Sequence, residues 1–118
     1  DLYLNIKVEL HQIWLLDGDN LKAHLPVAFD ELILGGNITV FTPDGEAQLT
    51  IPPGTLPGQS LRLKGKGWPL RNGRGDLIFT LNIDFQEEWS PEELNLLEEL
   101  KRIRYNDPRK AWLKSARL

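Results

Sequence analysis

The sequence has no cysteine among its 118 residues. That excludes disulfides and thiolate zinc sites, and it agrees with the cytoplasmic localisation expected here, although many exported proteins also lack cysteine. No apolar run reaches the length of a membrane span and no signal peptide is visible, so no membrane partner is expected. The net charge is only −3, which gives no general attraction to nucleic acid. Histidine is scarce: His11 and His24 are the only two, with no third nitrogen and no carboxylate at a metal-site spacing, so no metal is expected. No serine or threonine sits in a nucleophile elbow. The chain is therefore not read as an enzyme, and neither a catalytic residue nor a cofactor is assigned.

What is present is ordinary for a globular protein: 41% hydrophobic and 26% charged residues. The length suits one domain, or one domain plus a fragment. The start at Asp1, without Met, is that expected of a trimmed chain.

Alternation of apolar and polar residues dominates. In DLYLNIKVEL (1–10), Leu2, Leu4, Ile6 and Val8 share one face. LDGDN (16–20) predicts a turn, because Asp-Gly accepts positive φ cheaply. LKAHLPV (21–27) alternates again, and AFDELILGG (28–36) has helical spacing that the double glycine ends. NITVF (37–41), the turn TPDG and EAQLTI (46–51) predict a hairpin. PPGTLPG (52–58) is irregular, since proline removes backbone donors. QSLRLKG (59–65) alternates, KGWPLRNGRG (66–75) is a glycine-rich loop, and DLIFTLNIDF (76–85) is a long strand resembling the first. Near the end, Ser90, Pro91 and Glu93 form a capping-box signature, and Leu96, Leu97, Leu100 and Ile103 form a narrow apolar stripe. The fold class is mostly β, a small β-sandwich or open barrel-like domain with one short internal helix and a C-terminal helix.

Several motifs carry little. RLKGKGWP (62–69) lacks the Ser or Thr and the following helix of a phosphate-binding loop. RGD (74–76) is short enough to arise by chance, and Asp76 is expected to open a strand. The acceptor NIT (37–39) falls in a predicted strand. Trp14 is expected in the core, while Trp68, Trp89 and Trp112 suit either core cover or an interface. From Asp84 to Leu100 there are seven acids and no base; after Leu100 there are seven bases and one acid, Asp107. That matches a helix dipole. The alternative is a basic tail that meets an acidic partner.

In order, HQIWLLDGDNLKAHLPVAFDELILGGNITVFTPDG (11–45), LTIPPGTLPGQSLRLKGKGWP (49–69) and GRGDL (73–77) resemble the C-terminal substrate-binding region of the DnaJ family. These are J-domain co-chaperones of the forty-kilodalton heat-shock class. The resemblance runs from residue 1 to about 103; the tail from Tyr105 departs from it.

The resemblance implies two tandem β domains, each closing on a strand that begins Gly-Asp-Leu. Residues 1–10 would be the last strand of an upstream sister domain, 11–88 the second domain, 89–105 a dimerisation-type helix and 106–118 a basic tail of unknown role. An orphaned strand has a bare edge, so residues 2–8 are expected to dock on their own domain or on a neighbouring molecule. The implied partners are unfolded polypeptides, a second copy of the chain, and a DnaK-type chaperone reached through a J-domain absent from this chain. The type I zinc module would lie upstream, so subclass stays open. A client surface framed by the short helix and the adjoining strand would use Phe29, Leu32, Ile33 and Val40, although ordinary burial favours the core for all four. Leu96, Leu97, Leu100 and Ile103 would serve dimerisation. Two rival readings remain: a purely structural dimerisation or spacer module, and an unrelated ligand-binding β-sandwich with Trp68 and Trp89 as a stacking platform.

Overall fold

Alternating segments bury one face each, and in this chain those faces meet in a single apolar cluster. The computed structural model describes residues 7–9, 13–71 and 73–118. In chain order the elements are β1 (Lys7–Glu9), β2 (Leu15–Asp17), β3 (Asn20–Val27), α1 (Phe29–Leu34), β4 (Gly36–Thr42), β5 (Gly45–Ile51), β6 (Ser60–Leu63), β7 (Pro69–Leu70), β8 (Gly73–Arg74), β9 (Leu77–Ile83), α2 (Pro91–Ile103) and α3 (Lys110–Ala116). The chain is mostly β, as expected, and it divides into two units: one ending at Phe85, the other running from Gln86 to Leu118.

The first unit is built on a five-stranded sheet of order β1-β2-β3-β9-β6. Its central pair, β3 and β9, is parallel, with Leu21 opposite Leu77, Ala23 opposite Phe79 and Leu25 opposite Leu81. The other pairings are antiparallel. Leu21, Ala23 and Val27 of β3 and Leu77, Phe79 and Leu81 of β9 are buried together with Leu32, Val40, Leu49 and Ile51. The last four come from α1 and from the β4–β5 hairpin, so the hairpin covers one face of the sheet, as in a sandwich. Trp14 lies against this core, its ring centroid 6.0 Å from that of Phe79. The hairpin's outer face carries a polar ladder instead: Thr50 donates to the Asn37 side chain at 2.6 Å and Gln48 to Thr39 at 3.0 Å.

Of the opening segment, residues 7–9 are described. They form β1, the sheet edge, with Val8 opposite Leu16. The remaining positions of the predicted strand, and His11, lie outside the described residues. The predicted glycine-rich loop contains a small hairpin, β7–β8.

Local chemistry sets the helix ends. α1 starts where the Ala28 N–H donates to the Glu31 carboxylate at 2.8 Å. It ends at Gly35, whose φ is +74° and whose N–H donates to the Glu31 carbonyl. A Cβ on Gly35 would come within 2.6 Å of the Ile51 carbonyl oxygen, so glycine is required there for space as well. The irregular 52–58 segment caps this same C-terminal end of α1: the Gly54 and Thr55 N–H groups donate to the Ile33 and Leu32 carbonyls.

The second unit holds α2 and α3. The capping box forms as the sequence indicates: Ser90 Oγ accepts from the Glu93 N–H at 3.1 Å, and the Glu93 carboxylate accepts from the Ser90 N–H at 2.9 Å. The tail beyond α2 includes a second short helix, α3.

Candidate functional site

A surface that captures unfolded chains needs exposed apolar side chains on a rigid frame. The residues singled out in the sequence separate here. Leu32 is 2% and Val40 4% exposed, and both belong to the core. Phe29 is half-buried. Ile33 is 62% exposed. Leu34, Phe41 and Leu56, which sequence reasoning passed over, are also exposed. Strict alternation was the available signal for Phe41: if Val40 faces in, its neighbour faces out. Leu56 follows Thr55, whose N–H is bonded to α1, so Ile33, Leu34 and Leu56 gather at one end of that helix. In the second unit, Leu96, Leu100 and Ile103 are exposed and Leu97 is half-buried.

The frame beneath the loops is electrostatic. Asp76 Oδ1 accepts the Gly65 N–H at 2.9 Å, and Oδ2 accepts from Arg62. Its own N–H donates to the Asn20 side chain, and its carbonyl accepts from Leu21. The Gly65 N–H, helped by Arg62, holds the Asp76 carboxyl below the usual carboxylate range. Arg74 donates through Nε and Nη2 to the Gly67 carbonyl and through Nη1 to Asp44, tying the glycine-rich loop to the β4–β5 turn. Gly75 between them is buried. The Arg-Gly-Asp run is thus consumed by the fold. Glu93 is likewise held low by its Ser90 capping bonds.

A carboxyl whose pKa is lower folded than unfolded stabilises the fold while ionised. That contribution is present above the ordinary range and disappears as pH falls through the lowered folded value. Melting temperature is therefore expected to drop on acidification below about pH 4, and Asp76→Asn should flatten that dependence for the first unit. Thermal melts of both proteins across the acid range check this; parallel curves would contradict it.

Trp89 donates its indole N–H to the Gln86 carbonyl at 3.1 Å at the entry to α2. Trp68 stands in the glycine-rich loop, 47% exposed. His24 Nδ1 lies 3.2 Å from Asn82 Oδ1 on the sheet surface.

The profile of the DnaJ C terminal domain matches residues 1–86. The chain belongs to this family. It is 44% identical over 119 aligned residues to a DnaJ-like protein of Synechocystis, covering the whole of this chain and 36% of that protein. It is 40% identical to a second Synechocystis protein named chaperone protein DnaJ 2, over 92% of this chain and 36% of the relative. A chaperone protein DnaJ of Ruminiclostridium cellulolyticum is 39% identical over 91% of this chain and 29% of its own length. The chain thus spans about a third of the relatives it matches. The DnaJ resemblance read from the motifs is the family found. The Synechocystis alignment that covers the whole chain also takes in the tail, where the motif resemblance stopped.

Proposed function

We propose that this chain is the C-terminal part of a DnaJ-type co-chaperone, in which it binds unfolded polypeptides and supports dimerisation. Clients gathered here would pass to a DnaK-type chaperone. The observation that carries the client role is the apolar end of α1: Ile33, Leu34 and Leu56 are 62%, 74% and 68% exposed over a packed core. Burying such side chains yields about 25 cal/mol per Å² with little selectivity, which suits varied clients. Leu32 and Val40 would act beneath, holding the frame. The stripe Leu96, Leu100 and Ile103 is the proposed dimer element. On the same reading, residues 1–10 belong to an upstream sister domain and 11–88 to the second. Neither catalysis nor a cofactor enters this reading.

Binding of a fluorescent, permanently unfolded protein, followed by anisotropy, tests the client role. Saturable binding is expected, weakened by about tenfold in Ile33→Glu/Leu34→Glu with the melting temperature retained. Absence of binding at high micromolar concentration would leave the spacer and dimer role alone.

A further inference from the structure

We propose that the basic tail of this chain docks on the acid-rich entry to α2 of a second copy, and that the two copies do so reciprocally. The clasp presupposes the dimer proposed above and adds to it a contact outside the α2 stripe.

Every residue from Glu98 to Leu118 is exposed, so α3 is not packed on α2. On α3 and just beyond it, Lys110, Lys114 and Arg117 follow helical spacing along one side. Trp112, 64% exposed, lies opposite that side, and Leu113, 55% exposed, borders it. Both sides of the tail are therefore available. The charges are unmatched within the chain. Arg102 pairs with Glu99, but among the described residues Lys101, Arg104, Arg109, Lys110, Lys114 and Arg117 form no ion pair. Neither do the carboxylates of Glu87, Glu88, Glu92 and Glu98. Within one copy α2 separates the two groups: its 13 residues span about 20 Å.

A second copy removes that separation. The exposed stripe Leu96, Leu100 and Ile103 offers an apolar seam. Pairing two α2 helices in parallel would set Glu92 beside Glu92 and Lys101 beside Lys101. Antiparallel pairing about a two-fold axis sets the acidic end of each against the basic end of the other, and it is self-complementary. With the axis at the middle of the stripe, Leu96 meets Ile103. In sequence, Lys110 lies about as many residues beyond that middle as Glu88 lies before it. Tail bases then reach Glu87, Glu88 and Glu92 of the other copy, and Trp112 and Leu113 have a surface to cover.

Charge exchange tests this in the whole chain by sedimentation equilibrium. One variant carries Lys110→Glu, Lys114→Glu and Arg117→Glu; the other carries Glu87→Lys, Glu88→Lys and Glu92→Lys. Each variant alone places like charges at both contacts, and its self-association is expected to weaken by about tenfold. An equimolar mixture restores both attractive contacts, so heterodimers should form with nearly wild-type affinity, and the advantage should fade in about 0.5 M salt. If the wild type dimerises and both variants do so equally well alone, or the mixture shows no preference for the heterodimer, the clasp is wrong while the dimer stands. A wild-type chain that stays monomeric at about 100 μM overturns the dimer and the clasp together.

Discussion

Gly75→Ala is expected to destabilise the first unit severely. Gly75 is buried where the β8–β9 connection crosses the turn before β3, and an added Cβ would fall well inside the Asp19 carbonyl oxygen. The obstacle is backbone, so no side chain can swing aside. The turn is also pinned, since the Asp76 N–H is bonded to Asn20 and the Leu21 N–H to the Asp76 carbonyl, at 3.0 and 2.9 Å. Relief requires separating β3 from β9 at their first register pair. A cost above about 3 kcal/mol follows, against total stabilities of about 5–15 kcal/mol for domains of this kind. Gly18→Ala is the control. There φ is +61° with nothing within 4 Å of a new Cβ, so the cost is conformational alone, about 1 kcal/mol. Urea titrations followed by tryptophan fluorescence compare the two. Equal midpoints would mean that the crossing is looser than the geometry states.

Phe79→Ala is expected to remove about 3–5 kcal/mol. Phe79 is 3% exposed on β9, between Ala23 of β3 and Leu61 of β6, and its ring meets that of Trp14 at a tilt of 50°. Tilted aromatic pairs contribute about 0.5–1.5 kcal/mol beyond their burial. The small Ala23 opposite cannot fill the space left behind. Chemical denaturation measures the loss, and the folded-state emission of Trp14 should shift with it. A loss below about 1.5 kcal/mol would show that Trp14 and Leu61 collapse into the gap.

The legible parts of this chain are those whose causes are local. Ser90, Pro91 and Glu93 announce the start of α2 because the capping bonds span three residues. Gly35-Gly36 announces the end of α1, and Thr-Pro-Asp-Gly the hairpin. Strand faces follow from alternation, which is why Val40 is buried and Phe41 is not. The face of α1 was less readable. With six residues it makes fewer than two turns, so spacing alone groups Phe29, Leu32 and Ile33, whereas the sheet beneath admits only Leu32 fully. The exposure of Leu34 and Leu56 depends on how the 52–58 segment meets that helix, a tertiary matter. The parallel pairing of β3 with β9 leaves no mark on either strand alone. The roles of Arg74, Gly75 and Asp76 were hidden for the same reason, since each acts on a residue distant in sequence.

That pairing also bears on how the chain emerges from a ribosome. Strand β3 ends at Val27, and its central partner begins at Leu77. At roughly 5–20 residues per second, the buried edge of β3 waits several seconds for β9 to be made. During that wait α1 and the β4–β5 hairpin can form, but the sheet has no middle and β6, which pairs with β9, has nothing to pair with. A nascent segment of a DnaJ-family chain is thus, for those seconds, an unfolded polypeptide with exposed leucines.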